Sequence, residues 1–329
     1  MRGKITQCRA FLLVSALLAG VWAEPSWGQA YPARPIRMMI PQPPGGTMET
    51  IGRLVAEPVA RALGQNIVID NRTGANGIIA AETLARATPD GYTLLYTSAS
   101  LANNDFVHRK LPYNFRRDFA PVTQVTTLPG YLVLVGTKVP AQTLKELIEL
   151  SRTSRTPVHF GSSGVGNSQH LLGELINAGA GAKFAHVPYK GFALIINAVM
   201  GDEIQIAFGA PTTTVPHVKA SRLRAVAYTG AQRYSGLPDV PTVGESGMPG
   251  FVYEASWHGV FAPAATPTAI IARFQGEVAR AVQAPKMRAI LGAGGHVVIG
   301  STPAEFRQFL DQYFKETAEQ FRIAKVAPQ

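Results

Sequence analysis

An α/β fold in two units, with a ligand cleft between them, is what this 329-residue chain predicts. From Tyr31 onward, short β-branched or apolar runs alternate with helical periods, the pattern of parallel strands covered by helices. Two stretches share one build, a strand running through a glycine-rich turn into a helix: Ile36 to Ile40 into PQPPGGTMETIGR (41–53), and Val158 to Phe160 into GSSGVGNSQH (161–170). Setting aside residues 1–30 leaves about 299 residues, enough for two domains of about 100–200 residues each.

Residues 1–30 have the form of a cleavable secretory signal peptide. Arg2, Lys4 and Arg9 precede the apolar run Phe11 to Val21, and the small residues Gly28 and Ala30 close it. The apolar part is shorter than the ~20 residues that span a bilayer, and no later stretch approaches that length. A periplasmic product is expected. The single cysteine, Cys8, lies inside the signal, so the mature chain has no disulfide and no cysteine-built metal site. Losing three cations and one carboxylate with the signal lowers the formal charge from +10 to +8. A basic exported chain suits anionic small ligands or an anionic surface. Nucleic acid is not expected, because the cations are scattered singly and not interleaved with aromatics.

In order, Ile36–Ile40, Ile67–Asp70 and Thr93–Thr97 are expected strands, with helices near 48–63 and 76–87 between them, a βαβαβ unit. Met48, Ile51, Val55 and Val59 recur at helical spacing, while Pro58 predicts a bend or break. Leu132–Val135 is the next strand. Thr143 and Glu146 form a capping box that opens a helix to about Ser154. Strand 158–161, helix 168–178, strand 185–188, helix 192–200 and strands 204–208 and 223–228 complete a second α/β unit. The Pro- and Gly-rich loop 232–250 is the expected return between units. Val260–Ala262 is a strand, a helix runs from Thr266-Pro267 to about Ala284 with its proline first, and a last helix starts at Thr302 with Pro303 and Glu305. Its stripe Phe306, Phe309, Leu310, Tyr313 and Phe321 is expected to be a core or inter-domain face. The domain division is therefore 31–128 with 252–329, and 129–251.

Both glycine turns should present free helix-start amides beyond strand C-termini, where open α/β sheets bind ligands and where anions are favoured. Several chemistries are excluded. Gly164-Val165-Gly166-Asn167-Ser168-Gln169 starts like a dinucleotide fingerprint, but Gln169 replaces the third glycine. Pro44-Gly45-Gly46-Thr47 lacks the lysine of a nucleotide P-loop. Neither Ser162 nor Ser163 sits in a nucleophile elbow, and His170 is too close to Ser168 to serve obviously as its base. His159, His186, His217, His258 and His296 stand singly and are expected to be structural or surface residues, with no metal site. His170 is the exception, since the turn should carry it to the cleft. No cofactor is expected.

With PGGTMETIGR (44–53), DNRTGANG (70–77), PDGYTLL (89–95), LPYNFRRDFAPV (111–122), SSGVGNSQHLLGEL (162–175), HVPYKG (186–191), LPDVPTVGESGMPG (237–250) and FAPAATP (261–267) in this order, the chain resembles the Bug-type periplasmic receptors of tripartite tricarboxylate transporters. The resemblance covers essentially all of Tyr31 to Ala327. It implies a two-domain, type II periplasmic-binding-protein-like fold and a receptor, not an enzyme, that captures a small carboxylate and delivers it to a membrane permease. A receptor signalling to a sensor kinase is the first alternative, and an exported hydrolase on the same scaffold the second. A monomer is expected. The implied ligand residues are Thr47, Met48 and Glu49 in one turn, with Ser162, Ser163, Gly164, Asn167, Ser168, Gln169 and His170 in the other. Ser98, Ala99 and Ser100 form a third loop, and Tyr189 and Lys190 lie near the cleft. The family usually has aspartate at Glu49 and often an acidic or polar residue at Gly209. Met48 and Gly209 should make the pocket less polar and roomier, which leans toward an aromatic or longer aliphatic carboxylate.

Overall fold

The computed structural model describes residues 31–326; residues 1–30, expected to be a signal peptide, lie outside the described residues, and Cys8 with them. Strand β1 (Ile36–Ile40) leads through the first glycine turn into helix α1 (Thr47–Leu63). Met48, Ile51, Val55 and Val59 are buried as their spacing predicts, each contributing roughly 1.5–3 kcal/mol through burial. Pro58 does not break α1, which continues to Leu63 and ends at left-handed Gly64. Burial on both sides of the proline outweighs one missing backbone bond. β2 (Ile67–Asn71) and β3 (Thr93–Ser98) both run parallel to β1. The expected helix at 76–87 is shorter: Ala75, Asn76 and Gly77 all have positive φ, so α2 (Ile78–Ala85) starts two residues later.

Three four-residue helices follow, α3 (Ala99–Ala102), α4 (Asn104–Val107) and α5 (Phe115–Asp118), and then β4 (Phe119–Leu128), a ten-residue strand that periodicity did not disclose. β5 (Leu132–Gly136) begins the second sheet, followed by α6 (Leu144–Thr153). Thr143 accepts from the Glu146 amide, but Glu146 accepts from the amide of Gln142, one residue before the cap. β6 (Val158–Ser162), α7 (Ser168–Ala180), β7 (Phe184–Pro188), α8 (Phe192–Met200), β8 (Ile206–Gly209), α9 (Pro211–Lys219) and β9 (Leu223–Tyr228) complete that half. The chain returns through 229–255 to β10 (Ser256–Pro263). Then come α10 (Thr268–Gln283), α11 (Pro285–Ala293), the short β11 (Val297–Val298) and α12 (Pro303–Ala324). Pro267 caps α10 from outside its first turn, and α12 carries the full Thr302–Glu305 capping box.

The first sheet has the order β11-β4-β10-β3-β1-β2 and the second β7-β6-β8-β5-β9. β10 pairs antiparallel with β3 and β4 between them. The chain passes between sheets at 129–131 and again at 229–255. α12 ties them a third time. Phe306, Leu310 and Phe314 pack with Trp257 and Phe261 on the first sheet, while Phe321 and Ala324 enter the core of the second. No helix among the described residues is long and apolar enough to cross a membrane.

Candidate functional site

Both glycine turns open onto one cleft. Gly46 caps α1 with no side chain, which leaves the first-turn amides, those of Thr47 and Met48 among them, without a capping acceptor. At α7 the Asn167 side chain accepts from the His170 amide at 2.9 Å, leaving the amides of Ser168 and Gln169. α9 begins at Ala210, also without a side-chain cap. The partial positive ends of three helices, one from the first sheet and two from the second, thus converge on the same space.

That space has two joined compartments sharing Gln42, Met48, Ser98, Ser100 and Ser163. The inner one is lined with polar groups by Thr47, Ser163, Asn167, Ser168 and Gln169. Its apolar lining is Met48, Leu128, Tyr131, Phe192 and Ala210. Among the described residues, no lysine, arginine, aspartate or glutamate lines it. The outer one, open to solvent, reaches Gly164, Tyr189, Lys190, His108 and Asn76.

Gln169 holds the second turn to its sheet. Its Oε1 accepts from the Ser163 amide at 2.9 Å and the Ser163 hydroxyl at 3.1 Å, and its Nε2 donates to the Phe208 carbonyl at 2.7 Å. Asn76, from the first half, donates to the Ser100 carbonyl at 2.9 Å and so positions the third loop.

Five residues expected to bind ligand line neither compartment. Glu49 is buried behind the first turn, paired with Arg53 and accepting from the Gly45 amide at 3.4 Å. Ala99 is buried in the first core. Ser162 is fully buried at the end of β6, sharing a 2.5 Å hydrogen bond with His186 Nε2. His170 does not reach the cleft. It lies beneath the turn, stacked on His186 at 3.8 Å, with its Nδ1 accepting from the Gly166 amide at 2.9 Å. Gly209 does not enlarge the pocket, because a Cβ there would fall 2.5 Å from Phe192 Cζ and 2.3 Å from Thr214 Cγ2. The ring of Phe192 fills the space the glycine leaves.

Sequence reasoning missed Gln42, Leu128, Tyr131, Phe192, Thr213, Ser256 and His258 as lining residues. His258 is the plainest case. β10 brings it into the inner compartment, where Nδ1 lies 3.1 Å from Thr126 Oγ1. Burial, helped by nearby His296, holds its pKa well below the ordinary value, so it is a neutral hydrogen-bonding group there. Nothing local marks it, since its place depends on β10 pairing with strands more than a hundred residues earlier. Among the described residues no cluster of three or more His, Cys, Asp or Glu could hold a metal ion.

The stacked histidines under the turn carry a pH prediction. Burial lowers His170 to about 4, and burial with the neighbouring His170 lowers His186 to about 3. The unfolded side chains titrate near ~6.5, so between about 6.5 and 4 the unfolded chain binds more protons than the folded one. The stability these neutral rings contribute is complete above about pH 6.5 and lost as the pH falls toward 4. His170→Gln is expected to flatten the melting temperature against pH over that window; an unchanged slope would remove His170 from the account.

Comparison with known proteins gives one consistent result. The family described as tripartite tricarboxylate transporter family receptor matches residues 51–322. Protein BugT of Bordetella pertussis is 33% identical over 308 residues, covering 93% of this chain and 94% of its own. An R. palustris protein solved with adipate superposes with a TM-score of 0.87 at 29% identity, over 91% of this chain and all of that one. A second Rhodopseudomonas palustris protein, MatC with bound malate, gives 0.82 at 27% identity, over 88% and 99%.

Proposed function

The chain belongs to the tripartite tricarboxylate transporter receptor family, and from that premise we propose that it captures a small carboxylate in the cleft and delivers it to a membrane permease of the tripartite tricarboxylate type. One observation carries this: helix N-termini from both sheets open on one inner compartment that has no charged side chain of its own. A carboxylate is the group such a compartment suits, since the helix starts supply partial positive charge and donors and no acidic side chain lines it. Two of the structural neighbours were solved with adipate and with malate, both carboxylates.

The proposed contacts are the turn amides with Thr47, Ser98 and Ser100 from the first half, and Ser163, Asn167, Ser168 and Gln169 from the second. Met48 and His258 complete the enclosure, and Gly164, Tyr189 and Lys190 flank the outer end. The bodies that close are 31–128 with 252–329, and 129–251, hinged at the crossings. A charged hydrogen bond contributes about 1.5–3 kcal/mol net. Several of them, shared by both turns, reach the roughly 8 kcal/mol of a micromolar ligand after closure costs. Only a ligand touching both halves favours the closed form. The receptor acts as a monomer in the periplasm after the signal peptide is removed.

A thermal-shift screen of mono-, di- and tricarboxylates, aromatic ones included, tests the proposal. At a hundredfold excess over Kd a ligand adds about 2.7 kcal/mol, a rise on the order of 5 °C for a chain of this size. No rise with any carboxylate would contradict it.

A further inference from the structure

We propose that Phe192, seated over Gly209, sets the class of ligand: a carboxylate carrying an aromatic ring or similarly flat apolar body, with no second charge in the inner compartment. This rests on the carboxylate-receptor reading above and deepens it. The first support is steric. A Cβ at Gly209 would meet Phe192 Cζ at 2.5 Å, so the ring can lie over the end of β8 only because that position has no side chain. Phe192, at the start of α8, is partly buried against the second core and also faces the inner compartment.

The second support is continuity. Ala210 follows Gly209 directly and clusters with Leu128 and Ala255, and Tyr131 packs against that cluster. Phe192, Ala210, Leu128 and Tyr131, with Met48, are the apolar wall of the inner compartment. A ligand that gives its carboxylate to the turns must lay its body against this wall. The third support is charge. The inner compartment has no cationic side chain, and Lys190 is exposed in the outer one. A second carboxylate pressed onto the Phe192 ring would lose its water with no cationic side chain to replace it. A flat ring loses nothing there and gains contact with the Phe192 face.

Isothermal titration of the full mature protein with benzoate, phenylacetate and the linear dianion adipate tests this. At least one aryl carboxylate is expected to bind ten or more times tighter than adipate. Phe192→Ala should lower that aryl affinity at least tenfold and adipate affinity by a clearly smaller factor. Phe192→Leu, which keeps apolar volume but not the flat face, should fall between and serves if the alanine variant does not fold, as judged by its melting curve. Adipate binding more tightly than both aryl carboxylates, or Phe192→Ala weakening aryl and linear ligands alike, would overturn the inference and leave the receptor reading standing. Failure of every carboxylate in the broader thermal-shift screen would overturn both.

Discussion

Gly166→Ala is expected to lower affinity for the carboxylate ligand at least tenfold and the melting temperature by several degrees. Gly166 has φ +76°, a left-handed conformation that costs a residue with a Cβ roughly 1–2 kcal/mol. The new Cβ would also fall 2.4 Å from Val107 Cγ1. Val107 is fully buried at the end of α4, before the first crossing, and packs into the core of the second sheet. It cannot move aside without opening that contact, so the turn must shift. The shift would break the Gly166 amide bond to His170 and displace Asn167 and Ser168, which begin α7 in the pocket. Gly64→Ala is the matched control. It has a similar φ of +66° with nothing within 4 Å of the new Cβ, so it should cost stability alone. Titration calorimetry and thermal melts on both variants separate the two effects, and equal affinities would show that the turn geometry does not govern binding.

Trp257→Ala should cost about 3–5 kcal/mol, among the largest losses available to a single substitution here. Trp257 is 1% exposed and packs edge-on against Phe306, Phe309 and Tyr313 at centroid distances of 5.5, 6.1 and 5.7 Å. Removing it opens a cavity where β10 meets α12, the helix that joins the two cores. Urea unfolding followed by circular dichroism measures the loss. Two of the three tryptophans, Trp22 and Trp27, lie in residues 1–30, so Trp257 is the single tryptophan of the chain from Tyr31 onward.

What could be read from the sequence was local chemistry. The glycine turns after β1 and β6, the stripe of α1 and the Thr302–Glu305 box each depend on residues within one or two turns of one another, and each appears in the structure. β4 was missed because nearly all of Phe119–Leu128 is buried, threonines and Gln124 included, so no alternation shows. Pro121 also masks it, and β10 accommodates the proline with a register shift between Val260 and Phe261. α9 was hidden by Pro211 and Pro216, one at its first position and one inside.

The site divides in the same way. Thr47, Ser163, Asn167, Ser168 and Gln169 were legible because they belong to the turns themselves. His170 was misplaced because the stack on His186 and the bond from Gly166 are tertiary, and they draw the ring under the turn. Gly209 looked like an enlargement because Phe192, seventeen positions earlier, is not next to it until α8 packs on β8. Tyr131 enters at the first crossing and His258 on β10, and no local pattern can place either.

The central claim is that one carboxylate is held by helix starts from both halves. A crystal structure of the mature protein with the best carboxylate from the thermal-shift screen measures this most directly. Carboxylate oxygens within hydrogen-bond reach of the first-turn amides of both α1 and α7 are the predicted result. A carboxylate touching only one half, or bound in the outer compartment by Lys190 alone, would contradict it.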